Sequence, residues 1–393
     1  MTVWDDLVGQ EPAVEVLKRA VAGADARLKG ESGAATAGMT HAWLITGPPG
    51  SGRSNAGRAF AAALQCPLQG CGEGKGECNE CRTALSGAHP DVSLIRTELL
   101  SIRVGEVREL VRRAAMSPTQ GRWQVMVVED ADRLTEQAAD ALLKSIEEPA
   151  QRTVWVLCAP TVEDVVPTIR SRCRLLVLRT PPVAAVAEML TRKSGIEPEL
   201  ARFAARAAQG HIGRAKALAR DEQVRDRRRK VLEVPFELRD IGACLGAAQR
   251  LVDAAKEESK ASASEVDQKE RADLEQALGM GTRGAKPRET AAALKELEDQ
   301  QKARAKRWER DVLDRSLVDL MALYRDVLVV QTRAGAELIN AELRRNIEQL
   351  AGRTSPEQTI RRIDALTGCR EAIEGNVAPL LALEAMTIGL FEG

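Results

Sequence analysis

The sequence predicts an α/β domain with a doubly wound parallel sheet, followed by two helical domains. Short apolar runs alternate with helical patterns through residues 1–181, a glycine-rich phosphate loop follows the first run, and strand signals stop after residue 182. Continuous apolar runs separated by helices are typical of parallel strands buried on both faces. We therefore expect the α/β domain at 1–181, a small helical domain at 182–235 and a larger one at 236–393.

Five apolar runs are the predicted strands of this sheet. They lie at residues 42–46, 92–95, 124–128, 153–158 and 175–178. Between the third and fourth runs a helix is predicted, because Thr135 can act as N-cap, apolar residues then recur at a spacing of three or four, and Pro149 stops it. A second helix is expected over residues 55–64, directly after the phosphate loop.

The helical region contains one charged segment and one apolar segment. Residues 251–310 hold 26 charged residues among 60, with both signs interspersed and Trp308 as the single aromatic residue. Because acids match bases, we expect two solvated helices broken near residues 279–284 rather than a basic nucleic-acid arm. Residues 379–390 are strongly apolar, which predicts a buried packing or oligomerisation helix.

Composition excludes several classes of protein. The 393 residues carry 57 Lys+Arg and 57 Asp+Glu, whereas a stand-alone nucleic-acid binder uses net positive charge to neutralise phosphates. Five Trp, four Phe and one Tyr are few for a protein that stacks single-stranded bases. No secretory leader is evident, and no run approaches the ~20 apolar residues that span a bilayer. We therefore expect a soluble cytoplasmic protein with no membrane partner.

Residues 47–54 fit the phosphate-loop pattern G-x-x-x-x-G-K-[ST], except that Arg53 replaces the lysine. Gly47, Gly50 and Gly52 let backbone N–H groups face a phosphate, and the following helix adds a favourable dipole. Ser54 would offer its hydroxyl to Mg²⁺. An arginine is bulkier than a lysine and planar, so the two are not interchangeable there. Three interpretations stay open: a loop that binds nothing, a site that binds ATP and Mg²⁺ without useful turnover, and an ATPase.

The acidic partner of the phosphate loop is expected at the end of a later strand. Glu129 and Asp130 follow the apolar run at 124–128. In active NTPases an aspartate at this place holds Mg²⁺, and the next residue, a glutamate, polarises the attacking water. The order is reversed here, so the reach of both side chains is wrong for those roles. Two departures in one site predict a poor catalyst.

Four of the eight cysteines, Cys66, Cys71, Cys78 and Cys81, lie within residues 66–81. The C-x2-C spacing of the last pair is typical of a metal knuckle, and four thiolates suit tetrahedral Zn²⁺. In a cytosolic protein such a cluster is more often a metal site than a disulfide pair. We expect structural zinc, since four ligands leave no open position for a substrate; redox disulfides and inert thiols are the alternatives.

This succession of motifs resembles the bacterial clamp-loader AAA+ subunits of the DNA polymerase III holoenzyme. Besides the phosphate loop and its cysteine insert, the matching stretches are WDDLVGQ at 4–10, AHPD at 88–91, AADALLKSIEEP at 138–149 and SRC at 171–173. The resemblance runs from about residue 3 to residue 220 and is weaker beyond, although GNVAP at 375–379 is similar too. It implies that residues 1–181 are the AAA+ domain, 182–235 its lid, and 236–393 a collar that assembles five subunits into a ring.

Two kinds of subunit in that family carry the cysteine insert. One is the ATP-hydrolysing motor (tau/gamma), and the other is the stator (delta-prime), which contributes an arginine to its neighbour's ATP site. The family's motor has a lysine at the place of Arg53 and an Asp-Glu pair at the place of Glu129 and Asp130, whereas the SRC motif around Arg172 is intact. The pattern therefore resembles the stator.

The resemblance also implies a role and partners. Arg172 would act in trans as an arginine finger while ATP hydrolysis loads the sliding clamp onto primed DNA. The chain would join motor and delta subunits in a hetero-pentameric ring and meet the clamp and primer–template DNA through that ring. The alternatives are an autonomous AAA+ ATPase, the motor subunit itself, and a zinc-stabilised scaffold in which Arg172 is an ordinary surface residue.

Overall fold

The structure, a computed structural model, describes residues 2–71, 78–97, 101–278 and 287–393. The chain divides into two compact units, Met1–Arg220 and Asp221–Gly393. The first unit contains the sheet, and the described part of the second unit is helical.

The sheet of the first unit has five parallel strands. They are β1 (Ala42–Thr46), β2 (Val92–Ile95), β3 (Gln124–Val128), β4 (Thr153–Ala159) and β5 (Arg174–Val177), in the order β2-β3-β4-β1-β5. Every residue of the central strands β1, β3 and β4 is buried, as expected for parallel strands covered on both faces. The predicted α/β class is confirmed.

Helices cover both faces of this sheet. The helices of the first unit are α1 (Glu11–Leu28), α2 (Arg53–Gln65), α3 (Asn79–Ser86), α4 (Val104–Ala114), α5 (Glu136–Glu147), α6 (Pro167–Arg170), α7 (Val183–Ser194), α8 (Pro198–Ala207) and α9 (Ile212–Arg220). Of these, α7, α8 and α9 pack mainly on one another. On one face Trp43 packs edge-on against Phe60, with ring centroids 5.2 Å apart. On the other face Leu44 belongs to one apolar cluster with Leu142 and Ile146. Neighbouring residues of β1 thus serve opposite cores, because side chains alternate along a strand.

The boundaries of several elements follow from local hydrogen bonds. Thr135 Oγ1 accepts from the Ala138 N–H at 3.3 Å and caps α5, which confirms the predicted helix start. β5 begins one residue before the predicted run, and Leu178 still donates its N–H to the Thr46 carbonyl at 2.7 Å. Helix α2 begins at Arg53, two residues before the predicted start, because its first turn is part of the phosphate loop.

The described helices of the second unit pack around one main apolar cluster. They are α10 (Glu222–Glu237), α11 (Ile241–Ala277), α12 (Pro287–Thr332), α13 (Arg344–Arg353), α14 (Pro356–Glu374) and α15 (Pro379–Glu392). Leu317 and Tyr324 of α12 share the cluster with Leu366 of α14 and Leu383 of α15. The predicted apolar helix at the end of the chain is therefore confirmed as a packing helix.

The charged segment at 251–310 lies on α11 and α12, so the prediction of two helices is confirmed. The segment is not solvated throughout, because Arg304 is only 5% exposed and pairs with Asp267 and Glu270 at 2.5 Å each. This buried arginine ties α12 to α11. The predicted break at 279–284 lies outside the described residues.

Helices α7 to α9 belong to the first unit, and α10 begins the second. The predicted domain limits at residues 181 and 235 stay predictions. Within the described ranges, no helix is both long enough and apolar enough to cross a membrane.

Candidate functional site

The phosphate loop joins β1 to α2 and has the backbone that the motif predicts. Gly50 and Gly52 have φ values of 81° and 94°, in the left-handed region that favours glycine. A Cβ on Gly50 would lie 2.2 Å from His211 Cγ and 2.4 Å from His211 Cα, so glycine is the residue that fits. Helix α2 has no side-chain cap at Gly52, which leaves the first N–H groups of the helix for an anion or solvent.

A cavity of about 230 Å³ lies between this loop and helix α9. Gly52, Arg53 and Ser54 line one side, and His211 and Lys216 line the other. Two of the predicted cofactor-binding side chains, Arg53 and Ser54, are therefore brought together with backbone N–H groups. Such a cavity has the chemistry to accept a phosphate group. The sequence patterns did not indicate His211 or Lys216, since only packing brings α9 to the loop.

Arg53 does not reproduce the role of the missing lysine. Its Nη1 donates to the Gly47 carbonyl of the same loop. Burial lowers the pKa of Arg53, although Cys158 and the acidic Asp132 and Asp130 oppose that shift. Part of the guanidinium's hydrogen-bonding capacity is thus used within the loop itself.

The acidic pair at the end of β3 is also engaged by the protein. Glu129 is 6% exposed, and its Oε1 lies 2.5 Å from Nε of Arg58 on α2. Asp130 Oδ2 is buried without a hydrogen-bond partner in the described part of the chain. Glu129 stands at the place of the aspartate that holds Mg²⁺ in active NTPases, so its ion pair with Arg58 leaves this carboxylate less available to a metal ion. Sequence reasoning missed Arg58, which no motif marks.

The four predicted metal ligands, Cys66, Cys71, Cys78 and Cys81, form one cluster. Their Sγ atoms all lie within 4.8 Å of one another, and three Sγ–Sγ distances are 3.8, 3.5 and 3.7 Å. Four sulfurs placed about 2.3 Å from a tetrahedral Zn²⁺ would be about 3.8 Å apart. The cluster could therefore hold a metal ion, and the cysteine geometry fits zinc. The glycines at 72, 74 and 76 of this loop lie outside the described residues.

Backbone N–H groups support the sulfurs of this cluster. Leu68 and Cys71 each donate an N–H to Cys66 Sγ at 3.3 Å, and the Cys78 N–H donates to Cys71 Sγ at 3.0 Å. Burial tends to raise the pKa of Cys66, but the N–H groups of Gly70, Cys71 and Leu68 outweigh burial and lower it. Burial raises the pKa of Cys81 strongly. A dication would offset the cost of holding four thiolates together.

His89 lies close to the cysteine cluster but is not one of its ligands. It is 3% exposed, its Nε2 lies 2.9 Å from Glu80 Oε2, and its Nδ1 accepts the Asp91 N–H at 3.0 Å. Asp91 in turn accepts N–H groups from Thr119 and Gln120 at 2.8 and 2.9 Å. These contacts join the cysteine insert to the start of β2.

Arg172 lies on the surface just after α6, and it does not line the phosphate-loop cavity. Its side chain is 39% exposed, and Nη2 lies 2.5 Å from Glu147 Oε1. Nη1 donates to the Thr168 carbonyl at 2.8 Å and to Ser171 Oγ at 3.1 Å. The structure therefore separates this predicted catalytic residue from the other predicted site residues.

Two family models match the chain. The model described as "DNA polymerase III, delta subunit" matches residues 29–182, and "DNA polymerase III, delta subunit, C terminal" matches residues 267–389. The first match covers the phosphate loop, the cysteine cluster and Arg172.

Curated relatives agree with these models. Over 195 residues the chain is 34% identical to DNA polymerase III subunit delta' of Pseudomonas aeruginosa. This alignment covers 49% of the chain and 60% of that relative. It is 32% identical over 155 residues to the gamma/tau subunit of Mycobacterium bovis, covering 39% of this chain and 27% of that protein. The chain thus spans about three fifths of the length of the delta' relatives that it matches first.

Among solved structures, a gamma subunit-related protein of DNA polymerase III from Thermotoga maritima aligns with 89% of this chain and 93% of its own. The sequence identity is 18% and the TM-score 0.39. The fold of the first unit is instead given by the order of its five parallel strands.

Proposed function

Because the chain belongs to the DNA polymerase III delta-subunit family, we propose that it is a delta-prime-type stator of the clamp loader. In this role it supplies Arg172 in trans to the ATP site of a neighbouring motor subunit. Its own phosphate-loop site does not hydrolyse ATP.

The contrast between Arg172 and the phosphate-loop site carries this proposal. Arg53 contacts its own loop and Glu129 is paired with Arg58, so the two residues that stand at the places of the motor's lysine and Mg²⁺-holding aspartate are both engaged within the chain. Arg172, in contrast, is exposed and held in one orientation. A chain with a disabled site of its own and a well-ordered surface arginine is suited to completing another subunit's site.

The chemistry of such a finger is electrostatic. A guanidinium next to the γ-phosphate stabilises the charge that spreads over its oxygens in the transition state, and an arginine supplied in trans contributes about 10³–10⁵ in rate in related systems. The partners in this proposal are the motor and delta subunits of a cytoplasmic hetero-pentameric ring. The chain would reach the sliding clamp and primed DNA through those subunits, in keeping with its net charge of zero.

The cysteine cluster has a structural role in this proposal. Cys66, Cys71, Cys78 and Cys81 would hold one Zn²⁺, which would fix the insert against α2 and leave no coordination position for a substrate. Zinc here would stabilise the fold of the first unit and take no part in ATP hydrolysis.

The test is Arg172→Ala in a clamp loader reconstituted from this chain with motor and delta subunits. We expect ring assembly, followed by size-exclusion chromatography, to stay nearly intact. The ATPase rate stimulated by clamp and primed DNA is expected to fall at least a hundredfold. An unchanged stimulated rate with an intact ring would show that Arg172 is not an arginine finger.

The second candidate is an ATP-hydrolysing protein, either the motor subunit or an autonomous AAA+ ATPase. The similarity to gamma/tau of Mycobacterium bovis and the cavity beside Ser54 favour it. Equilibrium binding of ATP to the isolated chain distinguishes the two: micromolar affinity together with turnover that Ser54→Ala abolishes would support the ATPase. If Arg172→Ala does not change the ATPase rate of the ring and the isolated chain does not turn over ATP, the remaining interpretation is a zinc-stabilised scaffold.

A further inference from the structure

Arg172 is restrained at both ends of its guanidinium although its side chain is 39% exposed. Nη2 meets Glu147 Oε1 at 2.5 Å, while Nη1 meets the Thr168 carbonyl and Ser171 Oγ. An exposed arginine normally samples many rotamers, and a partner that must order it has to overcome that rotamer entropy. Here the side chain is ordered before any partner arrives.

The position of Glu147 is fixed by packing that does not depend on the ion pair. Glu147 is the last residue of α5, and the residue before it, Ile146, is fully buried in the same apolar cluster as Ile169 of α6. The two helix ends that carry Glu147 and Arg172 are therefore anchored in one core. The adjacent Glu148 has no ion pair or hydrogen-bonded side-chain partner in the described ranges, so the local geometry selects Glu147.

We infer that Glu147 is a positioning residue for the arginine finger. Its carboxylate holds Nη2 of Arg172, so the guanidinium reaches a neighbouring ATP site in a fixed direction. This inference rests on the proposed trans role of Arg172. Ser171 assists from the other side, since its hydroxyl donates to the Thr168 carbonyl at 3.1 Å and accepts from Arg172.

The count of donors shows why this restraint leaves the finger usable. A guanidinium has five N–H donors. In the described part of the chain Arg172 makes two hydrogen bonds, both from Nη1, while its Nη2 is in an ion pair with Glu147. The N–H groups of Nε and Nη2 therefore keep donor capacity. Two donors are the number that bidentate recognition of phosphate oxygens requires.

The test is a double-mutant cycle in the reconstituted loader, with Glu147→Gln, Arg172→Ala and the double variant. The amide of glutamine keeps the shape of the side chain but loses its charge. We expect Glu147→Gln to lower kcat of stimulated ATP hydrolysis about two- to fivefold, the size of an exposed ion pair. KM for ATP should stay unchanged, since the neighbour's own loop binds the nucleotide. Glu148→Gln, at the next residue and also exposed, should leave kcat unchanged.

The decisive comparison is made in the Arg172→Ala background, where Glu147→Gln should have no further effect because Glu147 acts only through Arg172. An additive loss there would overturn the inference, as would a kcat of Glu147→Gln equal to wild type or above it. If Arg172→Ala lowers the rate but Glu147→Gln does not, the positioning role fails and the trans role stands. If Arg172→Ala itself has no effect, both fail.

Discussion

Gly50 offers a direct test of how closely the phosphate loop is packed. In a Gly50→Ala variant the residue would keep a φ of 81°, and its Cβ would lie 2.2 Å from His211 Cγ and 2.4 Å from His211 Cα. A left-handed conformation costs an ordinary residue about 1–2 kcal/mol. Forcing atoms into a packed site costs about 1–3 kcal/mol more.

The expected loss of stability is therefore about 2–5 kcal/mol, because part of the contact is with the backbone of His211 and cannot be relieved by rotating a side chain. For a unit of this size each kcal/mol shifts Tm by about 2–4 °C, so the first unit should melt about 4–20 °C lower. Differential scanning calorimetry of the full chain measures this shift.

Gly105→Ala is the matched control for this substitution. Gly105 lies in the first turn of α4 with open space where a Cβ would stand. Replacing a helical glycine by alanine stabilises a protein by about 0.5–1 kcal/mol. Equal melting temperatures for the two variants would refute the argument that the contact with His211 constrains Gly50.

Two further predictions concern the cysteine cluster and Asp91, the residue before β2. By elemental mass spectrometry, wild-type protein should contain one zinc per chain and the Cys81→Ser variant less than half of that. The control is Cys244→Ser, which replaces a buried cysteine outside the cluster and should keep the zinc. Wild-type protein without zinc would contradict the assignment. Burial raises the pKa of Asp91, but hydrogen bonds from Thr119, Gly121 and Gln120 outweigh it and hold the pKa below the usual 3.8. A carboxyl whose pKa is lowered by folding stabilises the fold at pH values above its pKa in the unfolded chain, and this stabilisation is lost as pH falls through its pKa in the folded chain. Asp91→Asn should therefore be destabilising at pH 7. On titration from pH 5 to pH 2 the variant should lose less stability than wild type. Asp140→Asn, on the exposed face of α5, should follow the wild-type curve.

Local patterns were sufficient to predict the strands and the cluster of four cysteines. The strands were found because runs such as 124–128 are apolar at every position, which is typical of strands covered on both faces. The cysteine cluster was predicted from spacing alone, since four thiols within 66–81 can meet without any long-range contact.

The contacts that decide how the site works could not be predicted in this way. Arg58 meets Glu129 across 71 residues of sequence, and Glu147 meets Arg172 only because α5 and α6 share a core. Such pairs depend on how helices pack on the sheet, and the residue types involved are common on any surface. For the same reason the mixed charge of 251–310 did not reveal that Arg304 is buried.

The parallel pairing of β1 and β5 gives the first unit a polarity. Trp43 pairs with Arg174 at one end of these strands, and Thr46 pairs with Val177 at the other. The phosphate loop follows β1 and Arg172 precedes β5, so the two lie at opposite ends of this pair of strands, about four residues of strand or roughly 13 Å apart. In the proposed role, the end with the phosphate loop would face a neighbour's arginine and the end with Arg172 would supply one. Subunits related in this way would associate head to tail, and a chain whose own ATP site is inactive would then suit the position where the series begins.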